Sequence, residues 1–210
     1  RAWILFIFAF AFAVHTASAA QTEASLISER QAVALGESFD VGILLKMNKG
    51  WHTYWKDPGD SGLATSVSWK LPPDFGAGPI RWPKPMTIKI AGLTSYAYED
   101  EVLLLVRIQV PTKGYHVGQA VRLEARIDWL ECADICVPGK ATVTTSFRIA
   151  KASKDSPTEV MALFEKYRAL IPPDDYHPAK ESSPLNARRS IPTPSSQSPN
   201  RQSAIDSRQS

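Results

Sequence analysis

The sequence has only two cysteines, Cys132 and Cys136, and they stand close together in Cys132-Ala133-Asp134-Ile135-Cys136. Sulfur at this spacing supports three chemistries: a reversible disulfide that carries electrons, an inert staple, or a soft-metal site. A tight connection brings two Cα atoms within disulfide reach, about 4.4–6.8 Å. Closing so short a loop restricts the unfolded chain by only about 2 kcal/mol, a small gain for a chain long enough to build its own core. Short loops also strain a bridge, and strained or exposed bridges are the more easily reduced ones. Asp128, Glu131 and Asp134 surround the pair with Lys140 opposing them. Negative neighbours disfavour a thiolate, which suits a donor of reducing equivalents better than a strong oxidant. No Ser-His-Asp motif, phosphate loop or His pair at metal-ligand spacing is present. His52, His116 and His177 are scattered, and a copper(I) site using the cysteines with His52 or Met86 stays open because soft ligands suit that ion. The residues alone leave all three readings standing.

The elements around the pair read as β structure. Val121 to Trp129 alternates through Val121, Leu123, Ala125, Ile127 and Trp129, and Ala141 to Ile149 through Val143, Thr145, Phe147 and Ile149. This period of two marks half-buried strands, and it puts the cysteines in the connection of a hairpin at one end of the fold. Ser38 to Lys46 alternates around Phe39, Val41, Ile43 and Leu45, and Val102 to Val110 is a mixed apolar run closed by Pro111. Strands without alternating helices, in a chain of this size, predict an all-β fold: an immunoglobulin-like β-sandwich, with a closed barrel as alternative. Gly50 to Pro85 is rich in Trp, Pro and Gly. Its Trp51, Tyr54, Trp55, Trp69 and Trp82 are expected to plug the core ends or to serve as docking anchors. Ser156-Pro157-Thr158-Glu159 has the pattern of a capping box with Pro at the first helical position. Val160, Leu163, Phe164, Tyr167, Leu170 and Ile171 follow on one helical face, up to Pro172-Pro173.

The ends of the chain set the compartment. Trp3 to Val14 is an apolar run of about a dozen residues, short of the roughly 20 that span a bilayer, and Thr16-Ala17-Ser18-Ala19 follows it. This is the pattern of a secretory signal peptide cleaved near Ala19, with the start of its charged region expected upstream of Arg1. Disulfides persist in the compartments such a signal leads to. After Tyr176 the composition turns to Ser, Pro, Arg and Gln and cannot bury enough surface to order itself, so a disordered tail or linker is expected, with something following it. The expected organisation is a signal peptide over 1–19, an immunoglobulin-like redox domain over 20–150, a helical extension over 151–176 and a Ser/Pro-rich tail over 177–210. The tail carries five Lys/Arg against two Asp/Glu; without it and Arg1, the overall charge of +3 falls to about −1 for the body. So neutral a body has no electrostatic footprint for nucleic acid.

Gly50-Trp51-His52-Thr53-Tyr54-Trp55, Pro58-Gly59-Asp60-Ser61-Gly62 and Trp82-Pro83-Lys84-Pro85 resemble the N-terminal periplasmic domain of DsbD-type thiol:disulfide interchange proteins. Trp129 to Gly139, which holds both cysteines, is similar to the redox loop of the ScsB-like branch of that family. The similarity spans roughly Glu29 to Pro172. It implies an immunoglobulin-like fold, no cofactor, and a thiol:disulfide oxidoreductase role in an electron path. A membrane-embedded domain reduces a thioredoxin-like domain, which reduces this one, which then reduces periplasmic thiol-disulfide proteins such as disulfide isomerases or cytochrome c maturation factors; copper-stress tolerance is another outlet. The membrane would enter only through a partner or a missing domain. The resemblance also implies that Cys136 forms the mixed disulfides and Cys132 resolves them. Pro138 leaves the Cys136 side of the loop short of a backbone donor, whereas Cys132 follows the Trp129 end of a strand. Enterobacterial members space their cysteines further apart and shield them with an aromatic cap loop. The stretch here corresponding to that loop, Lys89 to Tyr98, offers Tyr96 and Tyr98 as cap candidates, with Asp134 as a docking candidate, although one or both tyrosines are expected to pack in the following strand. The alternative class is a non-catalytic immunoglobulin-like binding module with a structural disulfide, or a copper-binding accessory.

Overall fold

The computed structural model describes residues 20–90 and 92–178, apart from the side chain of Ile90. The signal-peptide segment and nearly all of the tail lie outside the described residues. In chain order the strands are β1 (Thr22–Ser28), β2 (Arg30–Ala34), β3 (Ser38–Met47), β4 (His52–Gly59), β5 (Ser66–Lys70) and β6 (Gly76–Arg81). They continue with β7 (Met86–Ile90), β8 (Leu93–Glu99), β9 (Glu101–Gln109), β10 (Ala120–Cys132), β11 (Cys136–Ala150) and β12 (Lys154–Asp155), before helix α1 (Thr158–Ala169). One sheet has the order β1-β3-β9-β6; the other runs β12-β2-β11-β10-β4-β8-β7, with β5 paired to β10 beside β4. The predicted sandwich is what forms. A separate unit begins at Asp174, of which the described part starts with a turn at Asp174 and Asp175.

The two sheets meet through the inward rows that alternation marked out. Phe39 of β3 and Phe147 of β11 touch edge to face at 4.8 Å, and Phe75 closes the end of this layer 6.0 Å from Phe147. Val121, Leu123, Ala125, Ile127 and Trp129 of β10 are all buried. Gly50 to Pro85, which showed no clean period, supplies β4, β5 and β6. Its Tyr54 and Trp55 are buried, while Trp51, Trp69 and Trp82 are only partly so.

Strand β3 is buried on both faces, beyond what its alternation implied. The covering element is α1, which packs on the outer face of β9 and buries Phe164 and Tyr167; the Tyr167 hydroxyl donates to the Glu101 carbonyl at 2.8 Å. Leu170, expected on the packed face, is exposed. The capping box does not form. Pro157 is the N-cap without any side-chain cap bond, because Ser156 is committed to the sheet: its hydroxyl donates to the Ser28 carbonyl at 2.8 Å and its N–H to that of Glu29 at 3.0 Å.

A buried carboxylate ties the helix down. Arg168 of α1 donates to Asp40 of β3 at 2.9 Å and to Glu29 at 2.5 Å, and Arg107 lies 3.2 Å from Asp40. Arg81 contacts the same Asp40 oxygen at 2.5 Å as an ion pair without hydrogen-bond alignment. Burial alone would raise the Asp40 carboxyl pKa, but Arg81, Arg168 and Arg107 outweigh it and hold the group below its ordinary value. Removing one partner from a buried charge cluster leaves the others uncompensated. Asp40→Ala should therefore lower stability by about 3–5 kcal/mol in urea unfolding, with α1 released from the sheet.

Candidate functional site

Strands β10 and β11 form one continuous hairpin whose register runs from Ala120 opposite Arg148 to Cys132 opposite Cys136. The cysteines are its last pair before the turn, disulfide-bonded with Cα atoms 4.1 Å apart. The Ala133 N–H donates to the Ile135 carbonyl at 3.0 Å and closes the turn. The two sulfurs stand in different surroundings. Cys132 is 1% exposed, whereas Cys136, Asp134 and Ile135 beside it are exposed, Ile135 at 66%.

The strand before the pair explains the burial of Cys132. Trp129 and Glu131 continue the inward row of β10. The Trp129 indole N–H donates to Glu131 Oε2 at 3.0 Å and the Gln21 backbone N–H to Oε1 at 2.9 Å, so this buried carboxylate is spoken for inside the sandwich. Asp128 is held by Arg126 at 3.1 Å. Of the three acidic neighbours read from the sequence, two are thus bound to other groups, and Asp134 stands at the exposed turn. Across the hairpin, Gly139 faces the Trp129 ring and has no room for a Cβ.

Cys132 belongs to the opposite face of β10, where it forms a small buried cluster with Tyr54 and Ala97, flanked by Ile88 and Leu130. Its partner on the other edge of β10 is His52. Directly paired residues share a face, so His52, Tyr54, Ala97 and Cys132 line one patch of sheet. His52 Nε2 and the Tyr54 hydroxyl are 3.1 Å apart, with the rings edge to face. Burial lowers the His52 pKa against the opposing pull of Glu99, and burial raises that of Tyr54. Gly62, from the Pro58-to-Gly62 motif, lies against the Tyr54 ring at φ +115°, a conformation and a closeness that only glycine accepts. A cleft of about 700 Å³ opens beside the turn, lined by Trp51, His52, Lys89, Glu99 and Asp134 among others.

The tyrosine candidates sit elsewhere. Tyr96 and Tyr98 alternate with Ala97 along β8 and so project from its other face, away from the Cys132 patch. Tyr96 meets Trp55 edge to face at 6.3 Å, and the buried Tyr98 hydroxyl donates to the Pro83 carbonyl at 2.6 Å. Both pack in the strand. The residues that do cover Cys132, His52 and Tyr54, lie in the Gly50-to-Trp55 motif. Local pattern marks His52 as a possible copper ligand and Tyr54 as an aromatic anchor, but nothing local reveals that their strand borders β10. Met86 is the register partner of Ala97 and is exposed. Among the described residues no group of three or more His, Cys, Asp or Glu is placed to hold a metal ion, and no helix is long and apolar enough to cross a membrane.

A family model described as "Thiol:disulfide interchange protein DsbD, N-terminal" matches residues 23–148. Among solved structures, the N-terminal periplasmic domain of ScsB from Proteus mirabilis is 18% identical over 72% of this chain and 53% of that one, with a TM-score of 0.47. This chain thus spans about half of that structure. A variant of BcpA, the major pilin subunit of Bacillus cereus, is 10% identical over 61% of this chain and 39% of its own, with a TM-score of 0.33. A family 123 glycoside hydrolase from Clostridium perfringens is 12% identical over 66% and 28%, with a TM-score of 0.35. No curated protein matches the sequence.

Two outcomes follow from this geometry. Gly139→Ala drives a methyl into the Trp129 ring and should cost about 1–3 kcal/mol, the range for overpacking, measured by urea unfolding of the oxidised protein. His52 has a folded pKa below its unfolded value, so the unfolded chain binds the extra proton first. The part of the stability that depends on neutral His52 should be complete above about pH 6.5 and fall as pH drops through it. His52→Gln should flatten that slope in unfolding titrations.

Proposed function

The chain belongs to the family of N-terminal domains of the thiol:disulfide interchange protein DsbD, and from that membership we propose that Cys132 and Cys136 relay electrons to periplasmic proteins. The supporting observation is the asymmetry of the pair: one sulfur exposed at a hairpin tip beside an exposed Ile135, the other buried behind it. An attacking thiolate needs access to one sulfur only, and the other is best kept from side reactions. Cys136 is accordingly the sulfur that meets partners, and Cys132 the resolving thiol. Asp134 and Ile135 flank the contact as docking residues. Tyr96 and Tyr98 have their rings engaged in β8, and His52 with Tyr54 takes over the covering role.

In the loading direction, the thiolate of a thioredoxin-like donor attacks Cys136 Sγ, and Cys132 leaves with the bond's electron pair. A second donor thiol then releases the reduced domain. In the delivery direction, Cys136 attacks the disulfide of a periplasmic thiol-disulfide protein and Cys132 displaces the reduced partner. Two electrons pass at each stage and no cofactor is involved. Disulfide isomerase reduction, cytochrome c maturation and copper-stress tolerance are the outlets this role serves. The apolar run Trp3 to Val14 and the Thr16-to-Ala19 stretch, read as a signal peptide over 1–19, support export to the periplasm. In this reading residues 20–150 form the redox domain, 151–176 a helical extension, and 177–210 a tail or linker.

Three measurements test this reading. Cys132→Ser incubated with an oxidised thioredoxin-like domain should trap a covalent complex on a non-reducing gel, while Cys136→Ser should not. Trapping by Cys136→Ser alone reverses the roles, and trapping by neither removes the relay for that partner. Thermal melts should show a folded domain with and without reductant, since the disulfide closes only the hairpin tip; unfolding on reduction at room temperature would make it a staple. Copper(I) should bind weakly without altering the fold. A tight stoichiometric titration lost in Cys132→Ser would put the copper accessory first.

A further inference from the structure

Under the relay reading, the delivery step has a requirement that the cysteines alone do not meet. Once Cys136 is tied up in a mixed disulfide, Cys132 is a thiol, and the structure holds that residue in an apolar cluster, 1% exposed while disulfide-bonded. It must become a thiolate to attack, and burial in apolar surroundings opposes that. Bulk water has little access to take the proton.

The structure puts an acceptor there. His52 is directly paired with Cys132 across β4 and β10, and residues so paired have Cβ atoms about 4.5–5.5 Å apart. Tyr54 packs against Cys132 in the same cluster, and its hydroxyl lies 3.1 Å from His52 Nε2. The Tyr54 ring is itself held in place by Gly62. Other charged groups face this spot. Glu99 of β8 is the register partner of His52, while Lys49, Lys89 and Asp134 share the rim of the cleft that His52 lines. Burial outweighs Glu99 and keeps the imidazole neutral, hence able to accept. No His-to-carboxylate hydrogen bond competes for the ring among those found in the described residues.

We propose that His52, positioned by Tyr54, is the proton acceptor for the Cys132 thiol when the mixed disulfide on Cys136 is resolved. The Cys132 S–H proton passes to the imidazole. The Cys132 thiolate then forms a bond to Cys136 Sγ, the bond from Cys136 to the partner sulfur breaks, and the partner leaves as a thiolate with that electron pair. The imidazolium so formed faces Glu99, which offsets its charge, and the cleft returns the proton to solvent. His52 acts on a reacting atom; Tyr54 is a positioning residue.

The test separates attack from resolution. The reduced protein is mixed with excess dithiodipyridine, whose thiopyridone product absorbs. Attack by Cys136 releases the first equivalent, and resolution by Cys132 releases the second. In the wild type, the second phase should rise with pH only until the imidazole is neutral and then level off. His52→Gln should slow the second phase near neutral pH by about a hundredfold, the lower end for general-base catalysis. It should also replace the plateau by a rate that climbs in proportion to hydroxide, and leave the first phase unchanged. Tyr54→Phe keeps the ring and its packing, and should slow the second phase less while leaving the first alone. A second phase in His52→Gln with wild-type rate and plateau overturns the proposal, as does equal slowing of both phases. Absence of a second phase in the wild type itself defeats the relay reading, a different result from a resolution step that occurs without His52.

Discussion

The site depends on the register of a single hairpin. Because side chains alternate strictly along a strand, the pairing of β10 with β11 decides at once which residues enter the core and which sulfurs meet. Val121 through Trp129 can face inward only if Cys132 lies opposite Cys136. A slip of one residue would turn the apolar row to the outside and part the cysteines. Trp129 locks this arrangement where the strand leaves the thick of the core, with its indole over Gly139 and its N–H on the buried Glu131. The apolar core therefore enforces the geometry of the redox pair, and the disulfide is a consequence of the hairpin.

That order of dependence suits the proposed role, in which the bond opens and closes. The bridge joins the final pair of a long antiparallel ladder and closes only the turn at 133–135. The rest of the ladder, the Phe39–Phe147 contact and the Asp40 cluster under α1 hold without it. Cost and function are separated in space. The buried charges that brace the fold sit on the outer face of the other sheet, whereas the cysteines sit at an end where one side meets solvent.

The other edge of β10 is shared. β5 pairs along its middle, and β4 joins only at Cys132. This division gives the buried sulfur its neighbours, since a β5 continuing to the end of β10 would exclude His52. With β4 in place, His52, Tyr54 and Ala97 of β8 share a sheet face with the less accessible sulfur. Cys136 is left to meet whatever docks. In the proposed relay, an exposed nucleophile and a buried resolving thiol with its own proton acceptor would divide the labour as a symmetric pair could not.

Much of this was legible from local pattern. Period-two alternation found the hairpin, its inward row and the cysteines at its tip, because alternation reports a one-sided core directly. The helix was legible for the same reason, although its cap was not: Ser156 turned its hydroxyl to Ser28, a partner 128 residues away. Motif resemblance carried the family and implied which sulfur meets partners. What local pattern could not supply was adjacency. Tyr96 and Tyr98 stood out as cap candidates because they are aromatic and near the expected loop, yet the parity of β8 sends them to the face away from Cys132. His52 and Tyr54 reach Cys132 from some eighty residues away because β4 borders the end of β10. The sequence by itself determined which side chains each strand presents to each face, a matter of short-range geometry. Only the tertiary structure decided which strands lie side by side, because that order is set by packing and hydrogen bonding between segments far apart in the chain.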